Sequence, residues 1–402
     1  MNKKKELIPK LRFPEFVNEG EWKLKQIGNI AISESSSMVL NKLELKPNGY
    51  PVYGADSIVG YIDNFQQSKK YISIVKDGSG VGRLNLCQNH SSILGTLACL
   101  KSKDCHEYHL DWIYYLLNTV DFSVYVKGAG IPHIYYSDFK NENIAVPKPT
   151  EQQKIASCLS SLDEAITAHN QKLGLLKEHK KGLMQNLFPQ EGKKVPKYRF
   201  KEFENDGEWS LVEFSNYIKL YRGSSPRPIN NYLTKDEKGV NWIKIGDTKY
   251  ATNSVIDKVE EKITREGAKK SRKVTKGELI LANSMSFGKT YELAIDGYIY
   301  DGWFVLREYE EHFDKSFLLQ LLNSEYMQKQ YQRLAAGGIV QNISSEIVYK
   351  TKLCHTSPRE QQKIASCLSA LDEVIVAQAE KIEQLKLHKK GLMQGLFPKI
   401  ED

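Results

Sequence analysis

The chain is written twice. Residues Glu151–Pro189 and Glu360–Pro398 are identical at 28 of 39 positions when aligned at an offset of 209. A second echo precedes each half: PKLRFPEFVNEGEW from Pro9 and PKYRFKEFENDGEW from Pro196. Internal repetition constrains a fold before any local reading does. It sets an order here: globular segment, long helix, globular segment, long helix. Two units imply a pseudo-two-fold object rather than a solenoid.

The repeated stretch reads as helix. In the first copy Ile155, Leu159, Leu162, Ile166, Leu173, Leu176, Leu183 and Leu187 fall at spacings of four and three, with His169 and Lys180 at the polar seam positions. The second copy gives Ile364, Leu368, Leu371, Ile375, Ile382, Leu385, Leu392 and Leu396, with Gln378 and Lys389 in the gaps. This is a coiled-coil seam. Such a helix, roughly 55 Å long, cannot bury its stripe alone, and its obvious partner is its own copy. Thr150 and Ser357 are placed as caps, and Leu-Phe-Pro closes both helices. The expected boundaries are 1–150 and 190–359 for the globular segments, 151–189 and 360–402 for the helices.

The globular segments alternate short apolar runs, such as Lys70–Val75 and Glu278–Leu281, with Gly, Asn and Ser. That is strand-and-turn sequence. Each also holds a late helix, Leu110–Leu117 and Lys315–Gln330. The expected class is α+β: two small β-rich domains separated by two long helices that pair as an antiparallel coiled coil. The domains share anchors. Tyr50–Gly54 aligns with Trp242–Gly246, Ile74–Asp77 with Ile280–Asn283, and Gly82-Arg83 with Gly288-Lys289. Between anchors little matches, as expected of two related sites that recognise different things.

Composition sets outer limits. A net charge of +8 over 402 residues allows nucleic-acid binding without requiring it. No apolar run reaches the roughly 20 residues of a membrane span. The basic N-terminus lacks the apolar core of a signal peptide, so the cytoplasm is expected. The six cysteines include no CxxC pair, and the Cys105-His106…His109 grouping reads as a chance cluster in a loop, so no metal is expected.

Taken together, the EQQKIA…GLMQ.LFP helices, the RFPEF…W and RFKEF…W openings, and the elements Tyr50–Ala55 (YPVYGA) and Gly223–Pro228 (GSSPRP) resemble the specificity subunit of type I restriction–modification systems. The resemblance covers nearly the whole chain. It implies two target-recognition domains, each reading half of a bipartite asymmetric DNA sequence, with the helices as spacer. It further implies a non-catalytic subunit that directs N6-adenine methylation by two modification subunits and ATP-dependent restriction by restriction/translocase subunits. S-adenosylmethionine, ATP and Mg would then be bound by partners, and double-stranded DNA by this chain.

Candidate DNA contacts follow from chemistry. Lys76–Arg83 (KDGSGVGR) is a glycine-rich loop after a strand; Lys76 and Ser79 suit phosphate, and Arg83 suits guanine. Lys127 and His133 flank the Gly128–Ile131 turn, at the place where Gln341 and Asn342 stand in the second half. Arg222, Ser224, Ser225 and Arg227 lie on a proline-stiffened loop, and Asn283, Ser284 and Lys289 occupy the second hairpin. Each loop also reads plainly as a solvated turn. The cations at His179–Lys181 and His388–Lys390 complement the helix dipole whatever else they do. The sequence contains no N-P-P-[FY] or D-P-P-Y methylation element and no P-loop. The rival readings are a stand-alone DNA-binding regulator and a protein scaffold.

Overall fold

In the computed structural model, residues 7–284, 288–335 and 342–400 are described. The chain forms two compact units, Met1–His169 with Ile382–Asp402, and Asn170–Lys381. The long helices span Pro149–Leu187 and Pro358–Leu396, so each gives one half to either unit.

The strands of the first unit are β1 (Lys23–Gln26), β2 (Ala31–Ser35), β3 (Tyr50–Tyr53), β4 (Ile58–Ile62), β5 (Tyr71–Val75), β6 (Leu84–Cys87), β7 (Ser92–Ile93), β8 (Leu97–Ser102) and β9 (Asn143–Val146). They form sheets ordered β2-β8-β5-β6 and β4-β3-β7, plus the pair β1-β9. Strand β5 shows why apolar residues are needed on both faces here. Ile72 and Ile74 face one core with Trp112 and Ile113, while Tyr71 and Val75 face a second core with Cys87 and Leu97. Successive side chains point to opposite faces, so a strand buried on both carries apolar residues on each, with the small buried Ser73 as its polar exception.

The second unit holds β10 (Ser210–Glu213), β11 (Lys219–Arg222), β12 (Leu233–Thr234), β13 (Val240–Ile243), β14 (Val255–Ile256), β15 (Glu261–Ile263), β16 (Arg272–Val274), β17 (Leu279–Ala282), β18 (Thr290–Leu293), β19 (Gly297–Ile299), β20 (Trp303–Arg307) and β21 (Lys352–His355). Their orders are β11-β20-β17-β18-β14, β12-β15-β13-β19-β16 and β10-β21. Strand β17 repeats the two-faced logic: Leu279 and Leu281 join one core, Ile280 and Ala282 another.

Three sequence expectations shift. The helix expected over Lys315–Gln330 is two helices, Lys315–Leu322 and Glu325–Ala335. Asn323 breaks it by turning its side chain onto the backbone of Thr290, accepting from the nitrogen at 3.0 Å and donating to the oxygen at 2.8 Å. The hairpin alignment moves by one residue. Val75 N donates to Arg83 O and Gly82 N to Val75 O, and Ala282 N with Gly288 N makes the same two bonds. Val75 therefore corresponds to Ala282, because the second loop is one residue shorter. The strand alignment moves by two, since β3 meets β7 at Tyr53↔Ile93 and β13 meets β19 at Ile243↔Ile299.

The copied helices earn their likeness at identifiable contacts. Arg12 grips Glu151 through two 2.8 Å hydrogen bonds and donates to Gly20 O. Arg199 grips Glu360 in the same way and donates to Gly207 O. Gln152 accepts from His109 N at 2.9 Å, and Gln361 from Asp314 N at 2.9 Å. These glutamines seat the entrances of helices Leu110–Leu117 and Lys315–Leu322. The repeated Glu-Gln is thus a docking device between each domain and its long helix.

In each unit the two long-helix segments run antiparallel. Ile155 and Leu159 share the first core with Leu396 and Phe397, and Lys389 meets Asp163 further along at 2.5 Å. Ile364 and Leu368 share the second core with Leu187 and Phe188, and Lys180 meets Asp372 at 2.6 Å. None of the seam residues is exposed. Their outer members, however, are absorbed into the domain cores rather than into a free-standing coil. Lys180 and Lys389, placed at seam positions by spacing, are the counter-charges of the two aspartates.

Each aspartate also holds its own globular domain. Asp163 accepts from Tyr115 Oη at 2.8 Å, and Asp372 from Gln320 Nε2 at 3.2 Å. Asp372→Lys should therefore cost about 2–4 kcal/mol, since it sets two ammonium groups together in a largely buried place. The double reversal with Lys180→Asp should recover part of that. Amide exchange over the Lys315–Leu322 helix checks it; equal protection in the single reversal would refute the pairing.

Candidate nucleic-acid interface

Each unit brings two distant segments to one place beside its central hairpin. In the first, Ile134 N donates to Lys76 O and Gly78 N to Pro132 O, both at 2.9 Å. Isolated bridges tie Asp77 to His133 and Lys127 to His133. Lys76, Ser79, Lys127 and His133, far apart in sequence, thus share one edge. In the second unit Ile343 N donates to Asn283 O at 2.7 Å, and Ser284 bridges Asn342. The scaffold is the same, while the residues displayed differ. Gln341 and residues 337–340 beside it in the sequence lie outside the described residues.

Within the first edge, Lys127 binds Asp138 at 2.6 Å yet stays 61% exposed. The Lys127 ammonium, with the Tyr135 amide, holds the Asp138 carboxyl below its ordinary value. Ser79 is exposed. Lys76 is half-buried with Asp77 as its neighbour. Arg83 pairs with Asp56, and both side chains stay exposed, at 49% and 79%. Ile131 stands 71% exposed on the same turn, an apolar side chain among cations.

The second site gathers around Tyr300 and Asp301. Ser225 Oγ donates to Asp301 Oδ1 at 2.5 Å, Arg227 reaches Oδ2 at 3.3 Å, and Arg222 Nε donates to the Asp301 carbonyl at 3.2 Å. Burial raises the Asp301 carboxyl, but the Ser225 hydroxyl and the charges of Arg227 and Arg222 outweigh it and hold the group below its usual value. Gly223 has no room for a side chain, because a Cβ there would lie 1.9 Å from Tyr300 O. Asn283 is a correction: it is 5% exposed and donates to the Asp301 carbonyl at 2.9 Å, so it braces the loop instead of facing a base. Ser284 lies 3.4 Å from Tyr300 Oη. Lys289 and Asn342 are exposed.

Sequence reading missed the strongest cationic feature. Lys269, Lys270, Arg272 and Lys273 line a hollow of about 470 Å³ with Ser224, Thr275 and Arg307. Arg272 and Arg307 both lie over the Tyr221 ring, at 5.5 and 5.6 Å. Arg272 also donates to Arg222 O at 2.6 Å, which joins this ridge to the Arg222–Arg227 loop. The signal was the KKSRK run itself, a basic five-residue cluster of the kind that marks nucleic-acid patches. Tyr300 and Asp301 carried no such signal, since only folding brings them under the loop.

Among the described residues no His/Cys/Asp/Glu cluster could hold a metal ion, and no helix is long and apolar enough to cross a membrane.

Comparison with known proteins agrees with this geometry. The family described as type I restriction modification DNA specificity domain matches residues 19–178 and again 207–387. The type I restriction enzyme MjaVIII specificity subunit of Methanocaldococcus jannaschii is 25% identical over 342 residues, 81% of this chain and 78% of that protein. Among solved structures, the S subunit of a type I restriction–modification system from M. genitalium superposes with a TM-score of 0.64 at 17% identity, covering 98% of this chain and 100% of that one. A chain from a study of type I system assembly and conformational transition gives 0.58 at 13%, covering 93% and 97%. These two likenesses concern the fold.

Proposed function

Because this chain belongs to the type I restriction–modification DNA specificity family, we propose that its two units each read one half of a bipartite, asymmetric DNA target. The observation that carries this reading is the pair of equivalent edges. The bonds Ile134 N to Lys76 O and Ile343 N to Asn283 O build one frame, while the side chains on it differ. A common frame with unlike side chains suits two different half-sites. Phosphate contacts place such a frame, and base-edge contacts give it specificity.

In this reading Lys76, Ser79, Arg83, Lys127 and His133 serve the first half-site. Arg222, Ser224, Ser225, Arg227, Ser284, Lys289 and Asn342 serve the second, with Lys269–Lys273 on the backbone. Ile131 is suited to wedge between base steps. The long helices act as spacer. The chain is not itself catalytic: two modification subunits methylate adenine at N6 and restriction subunits cleave, with S-adenosylmethionine, ATP and Mg held by those partners in the cytoplasm. An identical partner docking twice needs an identical surface twice. The exposed, repeated residues Gln153/Gln362, Ser157/Ser366 and Glu164/Glu373 supply one.

The test is a methylation map from cells expressing this chain with its modification subunit. A bipartite motif is expected. Exchange of residues 210–355 for those of another family member should change one half only. A short continuous motif, or change in both halves, would refute the reading.

A further inference from the structure

The two units differ by one helical turn, and the difference leaves a groove. Leu117 and Leu322 end corresponding helices, each followed by an asparagine cap. Phe122 and Tyr331 then occupy corresponding places over the hairpin glycine. A Cβ at Gly82 would meet Phe122 at 2.8 Å, and one at Gly288 would meet Tyr331 at 2.5 Å. From Leu117 to Phe122 is five residues, and from Leu322 to Tyr331 is nine, a difference of four. Four residues are about one turn of helix.

In the second unit that turn does specific things. Glu325 accepts from Gln185 Nε2 at 2.6 Å. Gln330 closes the outer edge of β21, accepting from Lys352 N at 2.9 Å and donating to Lys352 O at 3.0 Å. Tyr326 lies half-buried against the core. Lys329, then Gln185 and Lys181, hold the Glu325 carboxyl below its usual value.

In the first unit the counterparts stand open. The repeat places Gln394 where Gln185 is, Lys390 where Lys181 is, and Asn143 where Lys352 is. They line a groove of about 710 Å³ whose apolar floor includes Val120, Ile144, Met393 and Phe397. The outer edge of β9 faces it. Neither Gln394 nor Lys390 has a hydrogen-bond or ion-pair partner among the described residues.

We propose that this groove docks a helix from a partner protein, with an acidic and an aromatic residue in its first turn and a glutamine one turn later. The chain's own Glu325–Ala335 helix shows the shape and chemistry that line and narrow the equivalent space. Lys181 feels the charge of Glu325 without pairing with it, and Lys390, which has no ion-pair partner among the described residues, favours a carboxylate in the same place. The second unit keeps a smaller hollow of about 460 Å³ at the equivalent place, already lined by Glu325, Tyr326 and Gln330, so the partner binds in the first unit alone. This inference does not depend on which DNA sequence is read.

The probe is a synthetic peptide of residues Asn323–Ala335 (NSEYMQKQYQRLA), titrated into the full chain by fluorescence anisotropy. One-to-one binding is expected. Lys390→Glu should weaken it about tenfold, and a peptide carrying Glu325→Lys should regain affinity for that variant. Lys390 is exposed, so its reversal leaves the fold intact, and an unchanged melting temperature verifies this. Absence of binding up to about 1 mM overturns the proposal. So does loss of binding with Lys181→Glu in place of Lys390→Glu, which would put the peptide in the second unit. Concentration-dependent self-association abolished by Lys390→Glu would make the occupant a second copy, and likewise overturns it.

Discussion

Changing Lys269, Lys270 and Lys273 together to glutamine should weaken DNA binding by the assembled complex roughly a hundredfold at physiological salt, and flatten its salt dependence by about three units. All three ammonium groups are exposed beside the hollow at Ser224. Each phosphate neutralised on duplex DNA releases condensed counterion, which contributes a slope of about 0.9 in log affinity against log salt. Three such contacts account for both figures. The loss should fall equally on cognate and unrelated sequences, because phosphates carry no sequence information. Arg272 is left in place, since its stacking on Tyr221 and its bond to Arg222 O shape the loop. Filter-binding titrations from 50 to 200 mM salt measure the slope. An unchanged slope would remove this ridge from the interface, and a loss confined to the cognate sequence would make it a base reader.

Arg199→Met should destabilise the second unit by about 3–5 kcal/mol. The guanidinium and the Glu360 carboxylate are 7% and 1% exposed, so removing one charge strands the other out of water. The Thr356 hydroxyl also bonds Glu360 and is too weak to replace a bidentate cation. Glu360→Gln on top of Arg199→Met should recover much of the loss, because an amide costs far less to bury than a carboxylate. Arg12→Met should cost the first unit a similar amount, since Arg12 and Glu151 are equally buried and equally spaced. Denaturant unfolding followed by tryptophan fluorescence reads both. A loss under about 1 kcal/mol would place these pairs with ordinary surface bridges.

The clamp shows what can and cannot be read from one chain. The arginine of RFPEF and the glutamate of EQQKIA are each visible twice, but nothing in their spacing pairs them across 139 residues. Helix extent was legible because a seam at spacings of four and three survives any tertiary context. The break at Asn323 was not, because it depends on the backbone of Thr290 presenting a donor and an acceptor at the right distance. The candidate loops were legible as glycine-rich and cationic. Their fates diverged on folding: Arg83 found Asp56, Asn283 was buried, and Lys289 stayed free in solvent.

The sequence by itself determined the duplication, the two long helices, the β-rich character of the domains and the family, because periodicity and repetition are properties of a line of residues. Only the tertiary structure decided which cations face outward, which loops share an edge, and where one unit lacks the turn its copy has. Those depend on distances between residues far apart in the chain, and a one-dimensional pattern does not contain them.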